Sequence, residues 1–410
     1  MRMSKKKEIV PKFRFPEFQR DGIDFVHGNK LFKSITNKNH NSDLPILAIT
    51  QDQGAVPRDQ IEYNVTVTDK SLSNYKVVEV GDFIISLRSF QGGIEYSRFK
   101  GICSPAYIIL RKREENISEL YYKYFFKTWR YIQSLNRNLE GIRDGKMISY
   151  SQFSSVKVPY PRSFKEQQKI ADCLSSIDEL IDAESRKLKA LEKYKKGLMQ
   201  KLFPAEGKTL PEWRFPEFQG CGEWKSKSIG KACKMFSGGT PDTSKKEFYG
   251  GTIPFIRSAE INKSSTELFI TEEGFKNSSA KMVKKGDILI ALYGANSGEV
   301  ALSKIDGAIN QAILCLRHET NNVFVYHYFT HMKNWIISKY IQGGQGNLSG
   351  QIIKSVNLYF PKAEEQQKIA DFLSEIDTMI TGQSNKVEQL KAHKKGLMQG
   401  LFPSFEEADV

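Results

Sequence analysis

The chain is written twice. Arg14-Phe-Pro-Glu-Phe-Gln19 recurs letter for letter as Arg214-Phe-Pro-Glu-Phe-Gln219, 200 residues further on. Glu166 to Asp178 agrees with Glu365 to Asp377 at 11 of 13 positions, and Lys195 to Pro204 with Lys394 to Pro403 at 9 of 10, both at an offset of 199. Between these anchors identity nearly vanishes while the layout survives. Val80-Gly81-Asp82-Phe83-Ile84-Ile85 mirrors Lys285-Gly286-Asp287-Ile288-Leu289-Ile290, and Ser155-Val156 before Pro161 mirrors Ser355-Val356 before Pro361. So long a period is not that of a solenoid; it is a duplication with approximate two-fold symmetry inside one chain. Two divergent globular domains therefore alternate with two near-copied segments.

The near-copied segments read as long helices, because apolar residues alternate at spacings of four and three. One seam is Ile170, Leu174, Ile177, Ile181, Glu184, Leu188, Leu191, Lys195, Leu198, Leu202; the other is Ile369, Leu373, Ile376, Ile380, Gln383, Val387, Leu390, Lys394, Leu397, Leu401. Eight of ten positions are apolar in each, and the polar exceptions coincide, which is a coiled-coil heptad. Ser163 with Glu166 three residues later predicts a capping box at the first start, whereas Lys362 occupies that position in the second copy. Pro204 and Pro403 close the helices. Some 40 residues make a rod of roughly 60 Å, which needs a partner along its seam.

Charge predicts how the rods pair. Glu166 to Glu184 holds six acids and one base, Arg186 to Lys201 seven bases and one acid, and the second helix repeats the gradient. Antiparallel pairing sets acid against base, parallel pairing acid against acid. The gradient also suits each helix dipole by itself. The expected fold class is α+β: two globular α/β domains separated by two long antiparallel helices that form a coiled coil, a dumbbell with a pseudo-two-fold repeat. Its expected parts are residues 1–162 (first domain with its N-terminal tract), 163–203 (first spacer helix), 204–361 (second domain), 362–403 (second spacer helix) and 404–410 (acidic tail). The antiparallel arrangement should also bring the Arg14 to Gln19 tract near the end of the second helix.

Lys and Arg number 61 against 47 Asp and Glu, so the net charge is +14, and the domains at 1–162 and 204–361 carry +10 and +5 of it. A basic domain at each end of a spacer suits the reading of two separated short sequences on double-stranded DNA. Polar loops are the candidate readers: Arg88-Ser89-Phe-Gln91-Gly-Gly93, Tyr293-Gly-Ala-Asn296-Ser-Gly298, the stretch of Arg143 and Lys146, and that of Gln345 and Asn347. Arg58, Arg98 and Arg257 are grouped with them. Ordinary hairpin turns have the same composition. The five cysteines are odd in number and never in a Cys-x-x-Cys pair, against both a disulfide framework and zinc, and are expected to be reduced and mostly buried. No run of eighteen apolar residues and no signal-peptide pattern is found, so a soluble cytoplasmic protein without a membrane association is expected.

The groups an enzyme would need are missing from the sequence. Gly141 to Lys146 has the wrong spacing for a phosphate-binding loop, no Gly-x-Gly-x-x-Gly follows a strand, and no two prolines are adjacent, as an adenine methyltransferase motif requires. His327 and His331 stand at helical spacing without a third ligand, so no metal site is expected. Pro241-Asp242 has no nuclease partner motif after it.

Taken together, the Glu-Gln-Gln-Lys-Ile-Ala-Asp helices ending in Lys-Lys-Gly-Leu-Met-Gln-x-Leu-Phe-Pro, the Arg-Phe-Pro-Glu-Phe tracts, Ser237-Gly-Gly-Thr240-Pro241, Gly286-Asp287 and Asn310-Gln311 resemble the specificity subunit of type I restriction-modification systems over essentially the whole chain. The first domain departs from the pattern, with no Gly-Gly-Thr-Pro and with Cys103-Ser104 in place of Asn310-Gln311. The resemblance implies a non-catalytic DNA reader in which each domain reads half of a bipartite target, with Thr240, Asn310 and Gln311 among the contacts. The helices would set the spacer and dock two methyltransferase subunits, and restriction subunits would complete the complex. It implies that S-adenosylmethionine, ATP and Mg2+ act on those partners and that no cofactor binds this chain. Outward helix positions kept in both copies, Lys169 and Lys368, Asp172 and Asp371, Gln200 and Gln399, are the expected docking residues, since a coiled coil alone would let them drift. A recent duplication would preserve them as well. Two rivals are a scaffold with basic ends and no sequence preference, and an autonomous DNA-modifying enzyme; the missing motifs weigh most against the second.

Overall fold

The computed structural model describes residues 11–41, 43–61, 72–137, 148–340 and 348–403. The first domain contributes β1 (Ile23–His27), β2 (Phe32–Ile35), β3 (Leu47–Thr50), β4 (Gly54–Pro57), β5 (Lys76–Val78), β6 (Phe83–Ile85), β7 (Glu95–Tyr96), β8 (Gly101–Cys103), β9 (Ile108–Lys112) and β10 (Lys157–Pro161). With them come α1 (Glu119–Phe125), α2 (Trp129–Arg137) and α3 (Tyr150–Ser155), before the long helix α4 (Phe164–Leu202). The second domain contributes β11 (Lys225–Ser228), β12 (Cys233–Ser237), β13 (Tyr249–Ile256), β14 (Phe269–Ile270), β15 (Lys281–Val283), β16 (Ile288–Ala291), β17 (Val300–Leu302), β18 (Gly307–Ile309), β19 (Ile313–His318) and β20 (Asn357–Phe360). Its helices are α5 (Asn322–Tyr340) and α6 (Gly350–Ser355), and α7 (Ala363–Leu401) follows.

The repeat carries into the topology, although the second domain joins into one sheet, β14-β13-β18-β15, what the first keeps as two pairs, β3-β4 and β5-β8. The central sheet runs β2-β9-β6-β7 in the first domain and β12-β19-β16-β17 in the second. In the same way β1 pairs with β10 as β11 does with β20, and β5 with β8 as β15 does with β18. The inner strands are continuous apolar runs because both faces are covered. Phe83 and Ile85 pack into an aromatic cluster with Tyr122 and Phe126, while Ile84 faces Val78, Cys103 and Ile109. Ile288 and Ile290 face one cluster and Leu289 and Ala291 another. The Gly-Asp pair before each inner strand is structural. Asp82, buried, takes both arms of Arg111 at 2.7 Å and the Glu79 amide at 2.8 Å. Asp287 does the same with Arg317 at 2.8 and 2.7 Å and the Lys284 amide at 2.7 Å.

The long helices pack together, and the chain divides into two units that each contain an end of both: Met1–Glu184 with Lys386–Val410, and Ser185–Asn385. In the first unit Lys394 bonds Asp178 and Lys386 bonds Glu184, both at 2.5 Å, so residue numbers rise on one helix as they fall on the other. In the second unit Lys195 bonds Asp377 at 2.5 Å. The pairing is antiparallel, as the charge gradient predicts, and the seam lysines Lys195 and Lys394 are its polar contacts. The ends are buried in the domains: Ile170, Leu174, Leu401 and Phe402 join the first aromatic cluster, and Met199, Leu202, Phe203, Ile369 and Leu373 the core around Trp224 and Phe324.

One expectation is corrected, and that of free, mostly buried cysteines holds. The capping box at Ser163 is only half formed, since the Glu166 amide reaches Ser163 Oγ at 3.4 Å while its carboxylate, fully buried, is held by Arg14 Nε and Nη2 at 2.7 and 2.8 Å. A buried charge is stable only when paired, and the guanidinium is the stronger partner. Among the cysteines, all free, Cys103, Cys233 and Cys315 are buried, but Cys173 is half-buried and Cys221 exposed.

Candidate nucleic-acid interface

In the second domain the strand register gathers the candidate residues at one end of the sheets. Strands β13 and β18 run parallel with Ile256 beside Ile309, so Arg257 and Asn310 leave side by side. Ser237, at the end of β12, lies opposite Leu314, one residue inside β19. The Leu292 amide bonds the Ala312 carbonyl at 2.8 Å, placing the Tyr293 loop beside Gln311. Thr240, Arg257, Tyr293, Asn296, Asn310 and Gln311 therefore converge. Gln345 and Asn347 lie outside the described residues, although Leu348, which follows them, also bonds Leu292 at 3.1 Å.

The converging residues do different things. Thr240 and Gln311 are exposed and joined, the hydroxyl donating to Oε1 at 2.7 Å. Tyr293 is exposed and Asn296 half-buried. The Asn310 side chain turns back to accept the Ala312 amide at 3.0 Å. Arg257 is spoken for: it makes two bonds to buried Glu260, at 2.9 and 3.0 Å, and one to Glu267 at 2.7 Å. That guanidinium draws the Glu260 carboxyl down to about 2. The Arg257 side chain is 44% exposed and also braces the turn that follows β13.

In the first domain Arg88 and Gln91 are exposed on the loop after β6, but Ser89 is buried. Its hydroxyl accepts the Ser86 amide at 2.8 Å, so it closes the turn and does not face outward. Gly93 ends this loop at φ +84°, as Gly298 ends its counterpart at +85°, a backbone state that side chains disfavour. Sequence reasoning missed the support below. Lys127 donates to the carbonyls of Gln51 and Gly92 at 3.1 and 3.0 Å and to Glu95 at 2.5 Å, tying the β3–β4 hairpin to the loop after β6. Burial pushes the Glu95 carboxyl up and the Lys127 amine down, and their contact opposes both shifts. Arg58, half-buried, and Arg88 both lie within electrostatic reach of Tyr107. Arg98 departs from the group: it follows β7 and lines a cleft with Lys123, Tyr124, Asp178 and Asp182 beside α4. Arg143 and Lys146 lie outside the described residues, as do the Lys5-Lys6-Lys7 run and the tail at 404–410.

The helix positions expected to dock partners divide likewise. Lys169 is paired with Glu17 and lies over the Phe15 ring at 4.9 Å; Lys368 bonds Glu217 at 3.2 Å and lies over Phe215 at 5.5 Å. Arg214 clamps Glu365 at 2.8 and 2.6 Å, as Arg14 clamps Glu166. Each Arg-Phe-Pro-Glu-Phe tract is thus fastened to the start of a long helix, and this internal contact gives Lys169 and Lys368 a reason to be retained that needs no partner subunit. Asp172, Asp371, Gln200 and Gln399 are exposed. The heptad reading passed over Leu180 and Met379, which occupy equivalent positions and are 43% and 51% exposed.

Each tract also meets a helix end. The Phe13 amide bonds the Gly400 carbonyl at 2.8 Å, and the Trp213 amide bonds that of Lys201 at 2.9 Å. Among the described residues no group of three or more His, Cys, Asp and Glu could hold a metal ion, and no helix is long and apolar enough to cross a membrane. His327 is fully buried, both ring nitrogens lack a hydrogen-bond partner, and burial lowers it to about 3. Asp377 lies 3.9 Å away, beyond hydrogen-bond reach, and is engaged by Lys195.

Comparison with known proteins agrees with this geometry. The family model described as type I restriction modification DNA specificity domain matches twice, at residues 21–193 and 222–392. A putative type I restriction enzyme MjaX specificity subunit of Methanocaldococcus jannaschii is 26% identical over 306 residues, covering 72% of this chain and 70% of its own. The EcoR124I/EcoR124II specificity subunit of Escherichia coli is 30% identical over 169 residues, 38% of this chain and 42% of that protein. The crystal structure of a type I restriction-modification S subunit from M. genitalium superposes with a TM-score of 0.60 at 16% identity, covering 97% of this chain and all of that one, a likeness of fold.

Proposed function

The chain belongs to the type I restriction-modification DNA specificity family, whose members are DNA-recognition subunits and not enzymes, and from that premise we propose that each of its two domains reads one half of a bipartite target. The observation that carries the reading is that two domains with the same central-sheet order present chemically different loops after its corresponding strands. Exposed Arg88 and Gln91 serve the first, and Thr240, Tyr293 and Gln311 the second. Lysines and arginines supply affinity through phosphates, and amide and guanidinium forks on base edges supply discrimination of about 1–3 kcal/mol per good contact.

The helix pair separates the half-sites and carries docking positions for two methyltransferase subunits, for which Asp172, Gln200, Leu180 and their equivalents are the candidates. Equal surfaces in the two copies suit two identical partners. Adenine methylation and ATP-dependent cleavage, with S-adenosylmethionine, ATP and Mg2+, belong to those partners and to the restriction subunits.

Co-expression with the neighbouring methyltransferase subunit, followed by long-read mapping of modified adenines, tests this. Methylation at a split motif of fixed spacer, lost when the chain is omitted, is expected. Exchange of residues 20–162 for another member's first domain should change one half-site only. A change in both would sink the modular reading.

A further inference from the structure

We infer that Gln311 reads one base pair of the second half-site and that Thr240 is the positioning residue that holds its amide for that purpose. The inference rests on the second domain being a half-site reader. It goes further in assigning separate roles to residues that sequence reasoning grouped as equivalent contacts.

The link between β18 and β19 has three residues, and two are committed to its shape. The Asn310 side chain accepts the Ala312 amide at 3.0 Å, and its backbone carbonyl accepts the Gly238 amide at 3.2 Å. Gln311 alone is exposed, and its carbonyl oxygen is taken by the Thr240 hydroxyl at 2.7 Å. The strand-to-loop strap bearing Thr240 lies tight against its neighbours. A Cβ at Gly238 would fall 1.7 Å from the Ile309 carbonyl oxygen, and one at Gly239 would fall 1.9 Å from Ser279 Oγ, so only two successive glycines let the strap approach this closely. Beyond Thr240, the Tyr249 hydroxyl donates to the Pro241 carbonyl at 2.7 Å. The threonine is thus fixed from both sides before it touches the glutamine.

With its carbonyl occupied, Gln311 offers the two donors of Nε2 to the outside. Donors match the acceptors of the major-groove edge, purine N7, guanine O6 or thymine O4, and do not match the amino groups of cytosine and adenine. Lys281 lies opposite Ile309 in the β15–β18 ladder and is exposed with no ion pair among the described residues, so a cation stands beside the reading group for the neighbouring phosphate. The first domain has Cys103-Ser104 in this place, with Cys103 buried, so the device belongs to one half-site only.

The test uses the full chain in complex with its methyltransferase subunit and duplexes randomised across the second half-site, with bound sequences counted. Thr240→Val keeps the shape and removes the hydroxyl. It should lower discrimination at a single base pair by about fivefold to thirtyfold, the worth of the rotamer freedom that Thr240 removes in advance. Thr240→Ser should restore discrimination, Gln311→Ala should abolish it at the same base pair, and Gln311→Glu should turn preference there toward cytosine or adenine. The first half-site and the salt dependence should not move. A Thr240→Val profile superimposable on the parent's, or an equal loss at every position, overturns the inference. A parent complex with no preference in the second half-site would instead overturn the half-site reading beneath it.

Discussion

Arg14→Ala is the most informative single perturbation, because the pair it breaks is buried on both sides. The Arg14 and Glu166 side chains are 5% and 0% exposed, and two bonds of 2.7 and 2.8 Å join them. Deleting the guanidinium leaves a carboxylate out of water with no cation, and breaking a buried pair from one side costs about 3–5 kcal/mol. Glu166→Gln leaves the buried guanidinium with one acceptor but no counter-charge, so its cost should be comparable. Replacing both residues by methionine should recover most of the loss, since a buried pair is worth little more than a well-packed apolar one. Arg214→Ala supplies the internal control. Arg214 and Glu365 are 10% and 2% exposed, so its cost should be similar, but the chain runs on continuously from α4 to this tract, whereas the first tract meets the end of α7 through the Phe13 to Gly400 hydrogen bond. Arg14→Ala should therefore also release residues 11–20 to hydrogen exchange, and Arg214→Ala should leave 211–220 protected. Urea unfolding followed by circular dichroism, with exchange read by mass spectrometry, measures both. A loss under about 1 kcal/mol for Arg14→Ala, or a double methionine variant no better than the single alanine, would refute the reasoning.

Further outcomes follow from the same geometry. Leu180→Glu and Met379→Glu alter exposed positions, so they should leave the melting temperature unchanged while weakening methyltransferase-subunit binding by about 1.5–3 kcal/mol each, read by titration calorimetry. Lys127→Met removes the cation from buried Glu95 and unties the hairpin from the loop after β6; it should degrade the first half-site motif and leave the second intact, read by methylome sequencing. Burial holds His327 near 3, below its unfolded value of about 6.5, so the unfolded chain takes up a proton that the folded one refuses. Its contribution is whole above about pH 6.5 and falls by about 1.4 kcal/mol per unit as the pH drops toward 3; His327→Leu should flatten that limb in denaturation curves at several pH values.

The duplication, the helices and their antiparallel pairing were legible because they rest on period and charge, which a sequence carries openly. The gradient from Glu166 to Lys201 is the same fact as the Lys394 to Asp178 bond seen before folding. The convergence of Thr240, Asn310 and Gln311 was legible only as a set of motifs. Which of them faces outward depends on the three-residue link and on the Gly238 approach, and spacing does not encode either. Arg257 and Ser89 show what spacing leaves out: a polar residue on a loop reads as available, and whether a neighbour such as Glu260 or Ser86 binds it is settled by the fold. For Lys169 and Lys368 it was the contacts that spacing left out. Their retention was real, but their partners, Glu17 and Glu217, lie about 150 residues away in sequence.

The seam bonds bear on how such a chain is inherited. Asp178 answers to Lys394 and Asp377 to Lys195, so each bond takes its acid from one copy of the repeat and its base from the other. A substitution at one of these acids in one copy therefore takes a partner from a lysine of the other. The helices keep their two copies nearly alike where the domains do not, and these salt bridges lie in the part that is kept alike.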